Sequence, residues 1–291
     1  MTQLRPYLYI APSFIILLVF SIFPILVAFV ISFTGMDLFG LMDWSRIKFI
    51  GIANYRELLG NIVFRRAILN TLYYVVIGVP MVICLSLTLA ILINSGTSAV
   101  FKAFRAIYYL PSITNMVAVA VIWMYLYNTR AGLFNQILGI FGIDPVNWLG
   151  DQSVARVSLI FLAVWRSSGF NMLIFLAALQ GIPREYYEAA KLDGAGALRR
   201  IWSITLPLLR HAILFVSITT VAGWLQFFEE PYVMTKGGPV NATMSMSLFI
   251  FQTGFTSNQF GFAAAGSFVM FVMIVAITLI QLKVSQRRDD K

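Results

Sequence analysis

The chain has 291 residues, of which 59% are hydrophobic and 11% charged, with a formal net charge of +9. Soluble domains run near a quarter charged, so these proportions exclude a water-facing fold and leave a protein apolar outside as well as within. One cysteine (Cys84) and one histidine (His211) exclude a disulfide framework and a Cys/His metal site, and in a membrane protein the positive charge concerns loop placement rather than nucleic acid.

Charge-free gaps mark the spans in chain order. None of Asp, Glu, Lys or Arg stands between Arg5 and Asp37, between Arg66 and Lys102, or between Arg105 and Arg130. Each gap exceeds the roughly 20 apolar residues that a helix rising about 1.5 Å per residue needs to cross hydrocarbon. Later stretches add a fourth span broken by Arg166, a fifth after His211 and a sixth near the C-terminal end. The expected fold is all-α, a polytopic membrane protein in one transmembrane domain, 1–291, with spans near 8–33, 68–93, 107–128, 157–181, 208–228 and 263–284. Helices are expected because lipid offers the backbone no hydrogen bonds. The first span is too long for a signal peptide, and no small-residue cleavage site follows it before Asp37, so it is read as a retained helix.

An even number of spans puts both termini on one side. Lys and Arg are denser in the short segments on that side than in the longer opposite loops, which makes both termini cytoplasmic. Cys84 reads as a small packing residue, and His211 beside Arg210 as an interface residue. The tail from Gln286 to Lys291 reads as a solvated cytoplasmic end. Arg166 falls about 15 Å along its span by helical rise. It must face a protein or aqueous interior, pair with Glu229 or Glu230, or snorkel to the outer interface.

The loop 182–207 joins spans four and five. Pro183 suits the first position of a helix, Glu185 complements its dipole, and Gly194 suits a left-handed stop. A second short helix is expected over 195–203, with Pro207 opening span five. Ala189 and Ala190 form a small-residue face beside Glu188, against which another protein's surface can close.

The spacing Glu188-Ala189-Ala190, then Gly194, Ile204 and Leu206-Pro207 resembles the "EAA" loop of bacterial ABC importer permeases. Other stretches resemble the carbohydrate-uptake branch of that family, of maltose and glycerol-phosphate type. They are Tyr109-Leu110-Pro111, Glu230-Pro231-Tyr232, Gly237-Gly238-Pro239 and Gly261 to Ala265. Lys236 stands where the branch often has a further glycine.

The resemblance implies that Glu188, Ala189, Ala190, Asp193, Gly194, Ile204, Leu206 and Pro207 couple this chain to an ATPase. It also implies a second permease in a hetero-dimeric pore, two ATPase subunits, an extracytoplasmic solute-binding protein and a sugar substrate. No Gly-x4-Gly-Lys-Ser/Thr string occurs, so ATP and Mg are expected in the partner ATPase and no cofactor on this chain. No catalytic or metal-binding residue is expected, and a membrane enzyme finds no nucleophile–base set in the short loops. Two alternatives stand beside the sugar reading: an importer for an amino acid, peptide or polyol phosphate, and an ion-gradient-driven carrier. The second leaves the loop pattern without a reason.

A sugar path needs hydrogen-bonding groups and aromatic faces around a cavity between helices. The end of span five offers Trp224, Gln226, Phe227 and Glu230, with Asn115 in span three and Asn171 in span four as further candidates. Gln226 and Glu230 are placed first, since a carboxylate near membrane depth is a functional candidate by default.

Overall fold

The computed structural model describes residues 5–96 and 98–289. The last two residues of the tail read at Gln286 to Lys291 lie outside them, and the tail's other side chains are not described either. The described residues are helical in the main, with an isolated antiparallel bridge between Thr34 and Phe49.

Helix α1 starts at Arg5–Leu17 and runs through a π turn, Leu18–Ile22, into Phe23–Ile31. Pro24 offers no N–H to the turn before it, and the widened turn absorbs that loss. Then come α2 (Ile62–Asn94), α3 (Ala99–Ile113), α4 (Met116–Leu126), α5 (Gln152–Gln180), α6 (Arg184–Leu192), α7 (Ala197–Leu208), α8 (Arg210–Leu225) and α9 (Phe260–Asp289). Four of these stretches are long and apolar enough to cross a membrane, and there are six spans if each of two bent pairs is one.

The bent pairs refine the sequence reading. The expected third span, 107–128, falls on α3 and α4, which meet at 99°. Asn115 makes the break possible, because its Oδ1 accepts the N–H groups of Val117 and Ala118. The first donors of α4 are thereby satisfied without a preceding turn. The fifth span, 208–228, falls on α8 and the segment just after it, and α8 meets α7 at 69°. Pro207 therefore stands before the bend rather than opening the membrane helix, again just after a π turn, Ile201–Thr205.

The chain forms two compact units, Met1–Arg65 with Phe249–Met273, and Arg66–Leu248 with Ile274–Lys291. In the first, buried Asn54 donates from Nδ2 to the carbonyls of Ser32 and Thr34 at 2.9 Å each, holding the chain that leaves α1. Gly261 donates its N–H to Met36 O at 2.9 Å. A Cβ there would stand 2.1 Å from Thr34 O, so the approach requires glycine. Phe29 packs on Phe268, and Phe64 on Phe249.

In the second unit, Leu89, Ala90 and Ile93 of α2 pack on Met172, Phe175, Leu176 and Leu179 of α5, with Leu209 and Val216. Helices α3 and α5 come close where Gly169 has no side chain, since a Cβ would lie 1.9 Å from Tyr108 O. There Ser112 Oγ donates to Arg166 O at 2.6 Å and accepts the N–H of Phe170 at 3.1 Å. Between α4 and α5, buried Asn135 organises the connecting loop. Its Nδ2 donates to Thr129 O and Val146 O, and its Oδ1 accepts from Val146 N and Trp148 Nε1.

Candidate functional site

Helices α5 and α8 and the segment after α8 line a cavity of about 590 Å³. Its α5 side is Ala163, Arg166, Ser167, Phe170 and Asn171, a spacing that places all five on one helix face. Thr219, Thr220, Gly223 and Trp224 come from α8, and Gln226 to Glu230 close the lining. The volume and the mixture of aromatic faces with a few polar groups suit a small polar solute.

Charge in the cavity is concentrated at one point. Arg166 Nη2 lies 3.3 Å from Glu229 Oε2, and its Nε 3.8 Å from Glu230 Oε1. Glu230 is 5% exposed, whereas the Glu229 side chain is about half exposed. The cation that interrupts the α5 apolar run is thus held by two acids from the other side of the cavity, one of the alternatives that its position allowed.

The aromatic side is built by stacking. Trp224 and Phe227 lie with ring centroids 5.3 Å apart at 3°, and Phe227 packs on Tyr74 of α2 at 4.8 Å. Trp224 fits because residue 78 is glycine: a Cβ there would stand 1.9 Å from Trp224 Cζ3. Gln226 and Asn171 each donate one amide hydrogen to their own helix, bonding Ala222 O and Ser167 O, which leaves the second available.

Of the path residues read from the sequence, Trp224, Gln226, Phe227, Glu230 and Asn171 line the cavity. Asn115 is not among the lining residues, and its side chain caps α4 instead. Sequence alone does not single out Ser167, Phe170, Thr219, Thr220 or Gly78. Counting helix turns from Arg166 reaches Ser167 and Phe170, while the others are recognisable only once α2, α5 and α8 are in place.

The loop between α5 and α8 carries the second set. Pro183 stands at the N-cap of α6 rather than inside it, and Gly194 follows α6 at φ +75°, the left-handed stop. Glu188, Ala189, Asp193 and Gly194 are exposed, and Ala190, Ile204 and Leu206 partly so. Leu192 is 90% exposed and Trp202 71%, so α6 and α7 present apolar side chains outward. Behind them, the hydroxyls of Tyr187 and Thr205 lie 3.1 Å apart, pinning α6 to the π turn below Pro207.

The segment after α8 is fastened to one face of α2. Arg66 donates to Val240 O, Asn70 Nδ2 to Asn241 O and Met244 O, and Tyr74 OH to Thr243 O, while Thr71 Oγ1 accepts from Met246 N. Lys236 has φ +51°, which gives a conformational reason for glycine at that position.

The family model described as "Binding-protein-dependent transport system inner membrane component" matches residues 63–290. The lactose transport system permease protein LacF of Rhizobium radiobacter is 35% identical over 288 residues, covering 97% of this chain and 94% of that protein. The trehalose/maltose transport system permease protein MalF of Thermococcus litoralis is 35% identical over 284 residues, covering 98% and 94%. Among solved structures, a bacterial ABC transporter involved in the import of the acidic polysaccharide alginate superposes with a TM-score of 0.82 at 26% identity, covering 98% of each chain.

Proposed function

The chain belongs to the binding-protein-dependent transport system inner membrane component family, and on that footing we propose that it is the transmembrane subunit of an ATP-driven sugar importer. It is a multi-pass protein of the cytoplasmic membrane and a transport subunit. It works with a sister permease, two ATPase subunits that bind ATP and Mg, and an extracytoplasmic solute-binding protein. In this reading the six spans lie near the bounds expected from the sequence, the third of them broken at Asn115, both termini are cytoplasmic, and 182–207 faces the ATPase. The lactose and trehalose/maltose permeases support sugar as the solute.

One observation carries the mechanism. The loop holding Glu188, Ala189, Ala190, Asp193, Gly194, Ile204, Leu206 and Pro207 is the covalent link between α5 and α8, which both line the cavity. ATP closes the ATPase pair, the seated α6 moves with it, and the Tyr187–Thr205 contact passes the displacement into α7 and α8. The cavity then opens alternately to each side. Sugar hydroxyls bond Gln226, Asn171 and Glu230, and sugar rings lie on Phe170, with the Trp224–Phe227 stack completing the wall.

The test is purification from the native membrane with and without Glu188→Lys. The wild type is expected to bring down a soluble ATPase and the variant to lose it, with ATP-dependent sugar uptake lost in parallel. Absence of an ATPase from both preparations would overturn the reading.

A further inference from the structure

We propose that this chain's share of the path admits uncharged glycans and turns away uronates and sugar phosphates, because its one cation is already held by two carboxylates. The inference rests on the cavity being the translocation path. Arg166 is the single cation among the described lining residues, against Glu229 and Glu230. Its Nη2 faces Glu229 Oε2 at 3.3 Å and its Nε faces Glu230 Oε1 at 3.8 Å. An anionic sugar seeking this guanidinium either displaces an acid from it or joins both acids around it. If it displaces Glu230, a carboxylate 5% exposed is left without its cation. If it leaves both acids in place, it stands beside an excess of negative charge in a site of low dielectric.

An uncharged sugar meets neither obstacle. Its hydroxyls donate to the carboxylates and accept the second amide hydrogens of Gln226 and Asn171, while its apolar face lies on the exposed ring of Phe170. The alginate transporter of the same fold is involved in the import of an acidic polysaccharide. A shared fold therefore supplies the route, and the charge balance at Arg166 selects the solutes that take it here.

Charge can be read without knowing the sugar. The whole importer is purified into lipid nanodiscs with Cys84→Ser, so that Gln226→Cys supplies this chain's thiol, and the complex lacking that cysteine gives the background rate. Modification by a cationic methanethiosulfonate (trimethylammonioethyl) is compared with that by an anionic one (sulfonatoethyl), each relative to its rate with 2-mercaptoethanol. The cationic reagent is expected to be favoured by about tenfold, the order by which charged clefts concentrate counter-ions. The preference should fall toward unity in Glu229→Gln and in Glu230→Gln, and grow in Arg166→Gln. Glu229 is half exposed, so its variant keeps the test open if Glu230→Gln misfolds. No preference, or preference for the anion, overturns the charge proposal and leaves the path reading standing. Reaction with neither reagent overturns both.

Discussion

Arg166 reaches Glu229 across 3.3 Å, tying a turn of α5 to the segment beyond α8, and the same guanidinium faces the buried Glu230. The two acids differ in what they lose with it. The half-exposed Glu229 pair is worth about 0.5 kcal/mol, whereas stripping a buried acid of its partner costs about 3 kcal/mol. Arg166→Gln should therefore lower the unfolding temperature of the purified complex by several degrees more than Glu229→Gln. The reversed pair, Arg166→Glu with Glu229→Arg, should recover part of the uptake that each single reversal loses. Equal melting of the two glutamine variants would remove Glu230 from the argument.

Gly78 sets where Trp224 rests. A methyl group at 78 would lie 1.9 Å from the ring, which must move and so disturb its stack with Phe227. Overpacking of this kind costs about 1–3 kcal/mol. Gly78→Ala should reduce both thermal stability and sugar uptake, and adding Trp224→Leu should return stability without uptake. Uptake at the wild-type rate in Gly78→Ala would show that the ring's position does not matter to transport.

Gly194 tests the loop by backbone alone. Its φ is +75°, and a Cβ there would meet no atom within 4 Å, so a substitution is strained by conformation and not by crowding. Gly194→Asn, which tolerates the left-handed region, should keep most ATP-dependent uptake. Gly194→Val should lose most of it, since the left-handed region costs non-glycine residues about 1–2 kcal/mol and β-branched ones the most. Measuring uptake beside ATPase rate separates uncoupling, in which hydrolysis persists, from loss of assembly.

Hydropathy located α1, α2, α5 and α9 because a long, predominantly apolar run has few other structures open to it in lipid. It was blind to the bend after Ile113, which lies inside an apolar run and depends on a single amide, Asn115, capping α4. The bend after Leu208 falls where the loop 182–207 gives way to span five, beside Arg210 and His211. The run from Trp224 to Glu230 stood out because polar and aromatic residues are contiguous there. Thr219, Thr220 and Gly78 carry no such local mark; only packing makes them neighbours. Likewise, Arg66 and Asn70 bond residues more than 170 positions away, a separation that no local pattern encodes. The EAA spacing was readable because its residues fall within one short loop.

Ser112 gives the fold something a continuous helix lacks. Its hydroxyl bonds both ends of one step of α5, the carbonyl of Arg166 and the N–H of Phe170. In a soluble helix a water molecule can take that place. The hydrocarbon supplies none, so the neighbouring helix lends a hydroxyl. The bridge joins α3 to α5 at that step and leaves no bare carbonyl in oil. Arg166 and Phe170 hang from either end of it and line the cavity, so the bond that ties α3 to α5 and two of the cavity's side chains share a single turn of helix.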